Sequence, residues 1–311
     1  MPLFEIDKLD LHPISQNNFD REKQLQTLVE RNLQAVFNCR FVASEFPTGV
    51  QHGGRIDTLA LSEENNPVII EYKKAESSEL INQSLFYLAW IFDHKGDFEI
   101  AAQRTLGADI EIDWSDVRVI CIAPNYRKYD LHAVEVMGAN IELWTYRLFR
   151  DSFIYFEETG KMSSSGLVKD HTQVKDPIMV AAGKKAAITR ATQTFTFNDH
   201  IKGKSKKVTE LAYNVQEYIL GLDSSIEENP RKMYVAYRTS QNIVCMEVQT
   251  QKVYLFLKLD PKIHKGPQGI SRDMSNIGHY GTGDLEISIS SNEDLEIVKP
   301  FIKLAYETVG G

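Results

Sequence analysis

Cysteine is scarce in this chain. Its 311 residues hold three, Cys39, Cys121 and Cys245, widely separated and odd in number. That argues against a disulfide framework and against a cysteine zinc site, and reads all three as small core residues. Long apolar runs are missing as well. The most conspicuous, Leu85 to Phe92, falls far short of the ~20 residues that span a bilayer. The opening MPLFEIDKLD has no basic region followed by an apolar one, so neither a membrane segment nor a signal peptide is read and a cytoplasmic location is expected. ATP-binding and helicase motifs are absent, so any motor would be a partner. No internal repeat is evident.

Positive charge is also in deficit overall, with a formal net charge of -8. For a nucleic-acid binder the local distribution matters more than the sum. From Lys161 to Glu210 there are ten Lys and Arg against four Asp and Glu. Four of these lysines, Lys202, Lys204, Lys206 and Lys207, are the candidates for a surface that meets a polyanion; the plain alternative is a solvated linker. At 42% hydrophobic and 25% charged, the composition is that of an ordinary folded protein, long enough for two domains.

The chain is organised around Gly53 to Tyr87. Arg55 to Leu61 reads as a strand, Glu63 to Pro67 as a turn, Val68 to Lys74 as a second strand, and a helix starts near Ser78. Alternation puts Glu71 and Lys73 on one strand face, with Asp57 on the neighbouring strand. Two acids and a lysine on apolar strands are costly unless partnered, and a divalent cation that takes both carboxylates is an economical partner. A surface hairpin with an exposed ion pair, worth about 0 to 1 kcal/mol, is the competing reading.

Asp57 followed fourteen residues on by Glu71-Tyr72-Lys73 resembles the signature of the PD-(D/E)XK nucleases, with Ile56 where that superfamily often has proline. Gln83 and Tyr87, one helical turn apart, resemble the QxxxY element of its RecB-like members. Glu30 fits the first-helix glutamate. Single pieces such as E-x-K occur by chance; the conjunction in the family order is what distinguishes the chain. The resemblance implies an α/β fold with a restriction-endonuclease-like three-layer core, a mixed sheet flanked by helices.

It further implies a Mg²⁺- or Mn²⁺-dependent nuclease acting on nucleic acid, DNA in the first place, in repair or phage defence. Asp57, Glu71 and the Tyr72 carbonyl would hold the metal, and Lys73 would orient water and steady the phosphate charge. Glu30 would act through water or a second metal, while Gln83 and Tyr87 position substrate or brace the metal face. His52 and Arg55, before and at the start of the first strand, are further candidates for substrate contact. The alternatives are a nuclease-fold protein that binds nucleic acid without cleaving it, and an interaction or transport-associated protein.

The remaining organisation follows from composition and periodicity. Residues 1 to 20 read as an irregular arm with a helix cap at Asn18 or Asp20, and Arg21 to Phe37 as one amphipathic helix. Arg40 to Phe46, Val117 to Ala123 and Ile141 to Tyr146 read as strands, and Tyr129 to Met137 as a helix. The nuclease-like domain is placed at 1-159, a Ser/Gly/Lys/Ala linker at 160-194, and a second α+β domain at 195-311. The second domain resembles an uncharacterised module found beside nuclease-like domains in bacteria, implying a substrate or protein partner; a homodimer stays open. Its helix from Ser291 is expected to break or kink at Pro300, and its Gly278/Gly281/Gly283 stretch to be a turn, not a phosphate loop.

Overall fold

The computed structural model describes residues 2–49, 53–76, 79–137, 140–160 and 195–310. The expected linker at 160-194 and His52 therefore lie almost wholly outside the described residues. The chain divides into two compact units, Met1–Gln34 with Cys39–Thr192, and Ala35–Asn38 with Gln193–Gly311.

The first unit opens differently from the irregular arm that the sequence suggested. Strands β1 (Leu3–Asp7) and β2 (Asp10–Ile14) pair as an antiparallel hairpin, turned at Lys8 with φ 56, and β3 (Gln16–Asn17) joins the main sheet. The expected single helix is two, α1 (Glu22–Arg31) and α2 (Leu33–Phe37). The break falls at Asn32, whose Nδ2 donates to the Leu28 carbonyl at 2.8 Å and takes an orphan acceptor of the last turn. The N-cap is Arg21, whose amide donates to Gln24 Oε1, and not Asn18 or Asp20.

Next come β4 (Cys39–Pro47), β5 (Arg55–Ser62), β6 (Pro67–Tyr72), α3 (Glu79–Asp93) and α4 (Lys95–Leu106). They are followed by β7 (Arg118–Ala123), α5 (Lys128–Met137), β8 (Ile141–Phe149) and β9 (Phe153–Gly160). Helix α4 and strand β9 were not anticipated. In α4 only Phe98 and Ala102 are buried, too few to print a period on the sequence.

Among the described residues the sheet has seven strands in the order β3-β8-β7-β6-β5-β4, with β9 on β8. It is mixed: β6, β7 and β8 run parallel, the rest antiparallel. Leu59, Leu61, Ile69, Val119 and Cys121 meet Leu80, Leu85, Leu88 and Ile91 of α3 in one apolar core. Strand alternation sends Thr58, Ile70 and Tyr72 to the opposite face, where α1 packs and contacts Thr58 through Glu30. Helices thus cover both faces, giving the three layers expected.

Among the described residues the second unit is a six-stranded antiparallel sheet with helices against one face. Its strands are β10 (Glu227–Pro230), β11 (Val235–Arg238), β12 (Asn242–Val248), β13 (Val253–Leu257), β14 (Ser271–Asp273) and β15 (Leu285–Ile289). Helices α6 (Phe197–Ile201), α7 (Lys206–Leu220) and α8 (Asn292–Thr308) bury Val208, Leu211, Val215, Val298 and Ile302 on that sheet. Ser205 and Ser291 cap α7 and α8 by accepting the amides of Val208 and Asp294. Pro300 does not break α8, which runs through it. The glycine-rich stretch is a turn: Gly281, at φ 79, lies where a Cβ would come within 2.6 Å of Cys245 Cβ. All three cysteines are buried, and among the described residues none is in a disulfide. No described helix is long and apolar enough to cross a membrane.

Candidate functional site

The β5–β6 ladder stops at the Thr58–Ile70 pair, one step short of Asp57 and Glu71. Side chains take over from the backbone there. The Asp57 amide donates to Glu71 Oε1 at 3.0 Å, and the Tyr72 amide donates to Asp57 Oδ2 at 3.1 Å. Each carboxylate thereby satisfies an amide that the diverging strands leave without a ladder partner. On the other side, the Lys73 amide donates to the Ile122 carbonyl at 2.8 Å, which carries the β6–β7 pairing past Tyr72.

Both acids are held toward neutrality. Burial, and after it the charge of Asp57, raises the Glu71 pKa well above the carboxylate range, against the Asp57 amide and Lys73. Burial raises that of Asp57 too, opposed by the Tyr72 amide bond. Glu71 is 0% exposed, and its Oε2 is buried with no hydrogen-bond partner among the described residues. Such an oxygen costs free energy as it stands. It suits a cation. Among the described residues no group of three or more His, Cys, Asp and Glu is placed to hold a metal ion. A pair of carboxylates suits Mg²⁺ better than an all-protein cage does, because that ion keeps waters and takes substrate phosphate oxygens.

Lys73 points its ammonium at Glu22 Oε1, 3.4 Å away, and the other oxygen of Glu22 accepts the Lys74 amide at 3.2 Å. Glu22 was missed by the sequence reading, which chose Glu30 from the same helix. Glu30 Oε1 instead accepts from Thr58 Oγ1 at 2.7 Å and Gln26 Nε2 at 2.9 Å, on the α1 face of the sheet. Thr58 Oγ1 lies 3.2 Å from the Tyr72 hydroxyl, and Gln26 Nε2 also donates to the Asp57 carbonyl at 2.8 Å. Glu30 therefore braces the strands that carry the acids. The first-helix carboxylate that reaches Lys73 is Glu22.

Gln83 and Tyr87 do come together. Gln83 Nε2 donates to the Tyr87 hydroxyl at 2.9 Å; that hydroxyl donates to the Arg55 carbonyl at 2.8 Å and lies 3.2 Å from the Arg55 amide. The pair pins the start of β5 to α3. Gly54 is required for this approach, since a Cβ there would come within 2.9 Å of the Tyr87 ring. The Arg55 side chain leaves the acids and pairs with Glu45 at 2.5 Å, while Lys23 holds the other Glu45 oxygen at 2.8 Å. Those partners, Lys23 first, depress the Glu45 pKa.

The four candidate lysines belong to the second unit and are not linker residues. Lys202 and Lys204 lie in the turn between α6 and α7, and Lys206 and Lys207 open α7. Lys206, 91% exposed, is 3.7 Å from Glu210.

Among known proteins, residues 197–309 match a family described as a domain of unknown function (DUF5655). A protein of Haemophilus influenzae (strain ATCC 51907 / DSM 11121 / KW20 / Rd), described as an uncharacterized protein, is 30% identical over 309 residues, 98% of this chain and 99% of its own. The chain belongs to that protein's family. The match runs through both units. Two solved structures are similar to part of the chain. One, titled as the structure of an EndoMS-dsDNA2 complex, is 17% identical, covers 45% of this chain and 48% of its own, with a TM-score of 0.31. The other, a repair endonuclease from Pyrococcus abyssi, is 17% identical, covers 42% and 48%, with a TM-score of 0.26. The match spans about half of each of those two chains.

Proposed function

We propose that the chain is a metal-dependent nuclease of the PD-(D/E)XK kind, hydrolysing phosphodiester bonds, with DNA as the expected substrate, in repair or phage defence. The observation that carries this reading is the pair of half-buried Asp57 and buried Glu71 at the open end of β5 and β6, with Glu71 Oε2 unpartnered among the described residues and Lys73 two residues on. Asp57, Glu71 and the Tyr72 carbonyl would hold Mg²⁺ or Mn²⁺. When bound, the ion supplies Lewis acidity and a more acidic water.

The chain's own groups do the rest. Lys73 offers a positive charge to the scissile phosphate and a donor that orients the attacking water, and Glu22 fixes where that ammonium sits. Glu30, through Thr58, and Gln83 with Tyr87 hold the two strand ends in place, so the carboxylates meet substrate in a preformed arrangement. Lys202, Lys204, Lys206 and Lys207 are the second unit's surface for phosphate. Lys206 and Lys207 occupy the first turn of α7, where the helix dipole disfavours cations, so helix stability does not account for them.

The test is incubation of the protein with labelled single-stranded, duplex and branched DNA and with RNA, in Mg²⁺, Mn²⁺ or EDTA. Cleavage that needs the metal supports the reading. Intact substrates in every arm overturn it. A nuclease-fold protein that binds without cleaving is favoured by one observation, the engagement of Lys73 by Glu22; binding without cleavage in the same assay selects it.

A further inference from the structure

Strands β6, β7 and β8 are parallel, so their C-terminal ends share one edge of the sheet. In open sheets with parallel strands that edge is where ligands bind. Glu71 and Lys73 stand at the end of β6. Beside them, at the end of β7, the segment Tyr126-Arg127 leads into α5, whose first two residues are Lys128 and Tyr129. It is firmly built. The Tyr126 hydroxyl donates to the Cys121 carbonyl at 2.7 Å, the largely buried Asp130 accepts the Arg127 amide at 3.0 Å, and the Arg127 guanidinium pairs with Glu76 beyond β6.

From the first turn of α5, fixed by these contacts, Tyr129 projects into solvent, 83% exposed. Lys128 beside it is exposed and has no ion-pair partner among the described residues. Lys74, at the end of β6, spends its ammonium on a neutral carbonyl, that of Asp20, at 2.7 Å. A large aromatic held out from an anchored helix start, with Lys128 beside it and Lys74 just beyond the neighbouring strand β6, neither ammonium paired with a carboxylate among the described residues, has the two elements a single strand requires: a ring for a base and cations for its phosphates. A duplex offers no such face to Tyr129, because its bases already stack on one another. An exposed tyrosine on a frayed helix end would need no explanation; this helix start is anchored through Tyr126 and through the Asp130 bond to the Arg127 amide.

We propose that Tyr129, Lys128 and Lys74 form a stacking and phosphate subsite for single-stranded nucleic acid at the end of β7, beside the carboxylate pair. The subsite rests on the nuclease reading for the hydrolytic step after binding, and it names the form of substrate that the site accepts.

The experiment measures anisotropy of fluorescein-labelled oligo(dT), oligo(rU) and a hairpin duplex with full-length E71Q protein, across a salt series. Y129A should weaken oligonucleotide binding by roughly 5- to 100-fold with the salt slope unchanged, and Y129W should restore it. K128Q should flatten log affinity against log salt by about 0.7 of a unit. The oligo(dT) and oligo(rU) arms show whether DNA or RNA is preferred. The proposal is overturned if the parent binds neither oligonucleotide, if Y129A binds like the parent, or if the duplex is bound as tightly and with the same dependence on Tyr129. Tyr129-dependent binding by wild-type protein that cleaves nothing keeps the subsite and removes the hydrolytic reading.

Discussion

Asp57 and Glu71 hold one another's strands: the Asp57 amide donates to the Glu71 carboxylate, and the Asp57 carboxylate accepts the amide next to Glu71, that of Tyr72. The exchange leaves one buried oxygen, Glu71 Oε2, with nothing to accept among the described residues. Fold and chemistry meet in this pair, because the same carboxylates that end the ladder are those that could receive a cation.

Replacing Asp57 by Asn, Glu71 by Gln or Lys73 by Met should each lower cleavage by roughly 100-fold or more, as loss of a charge-stabilising group does. The variants should remain folded. In EDTA, E71Q should unfold at or above the wild-type temperature, since a buried acid with an orphan oxygen becomes a neutral amide. Cleavage at wild-type rates by all three variants would remove the assignment.

Metal should stabilise the folded chain by mass action, by about 2.7 kcal/mol at a hundred times the dissociation constant. Differential scanning fluorimetry with Mg²⁺ or Mn²⁺ against EDTA reads the shift. An E71Q protein that shifts as much as wild type would place the ion elsewhere.

Arg118 and Glu142 form a buried ion pair, 3.4 Å apart, with side chains 9% and 5% exposed. Trp144 Nε1 donates to the other oxygen of Glu142 at 3.1 Å. R118M should cost about 3–5 kcal/mol, because it strands a buried carboxylate, while R118M with E142L should recover most of that loss. Urea midpoints of the two proteins make the comparison, and equal midpoints would show that the charge is not stranded.

His200 sets a pH dependence in the second unit. Burial lowers its pKa, against the bond to the Arg231 carbonyl at 2.8 Å and the charges of Asp199 and Glu228; Lys204 lowers it further. The unfolded chain takes up the proton near pH 6.5 and the folded chain only below that, so the unfolded state binds more protons in between. The contribution is complete above about pH 6.5 and is lost as pH falls toward the folded value. Chemical denaturation of wild type and H200Q over that range should show a shallower decline in the variant. Parallel profiles would rule His200 out as the source.

Exchanging Lys202, Lys204, Lys206 and Lys207 for Gln in the E71Q background should weaken nucleic-acid binding. It should also flatten log affinity against log salt by roughly 0.7 to 0.9 of a unit for each phosphate that a lysine no longer neutralises. A slope equal to the parent's would assign the four lysines to solvation alone.

Much of the core was legible because it is local. The β5 and β6 strands, the turn between them and α3 follow from runs of apolar residues and the polar break at Glu63 to Pro67. Ser291 marked the start of α8 for the same reason, since a cap is a property of a few adjacent residues. Segments with a weak period were not legible. Helix α4 buries only two residues, and the β1–β2 hairpin exposes Ile6, Leu9 and Leu11, so neither yields the contrast of faces that a sequence pattern depends on.

The sequence by itself determined which acids and which lysine share the strand ends, and that an aromatic and an amide stand one turn apart on the next helix. Tertiary structure alone decided what each of them touches. Glu22 and Glu30 lie on one helix, eight residues apart; packing of α1 across the sheet turned Glu30 onto Thr58 and left Glu22, in the first turn, to meet Lys73. Nothing in the local spacing distinguishes the two glutamates. The choice is set by where α1 crosses β5 and β6, which depends on contacts between residues far apart in the chain.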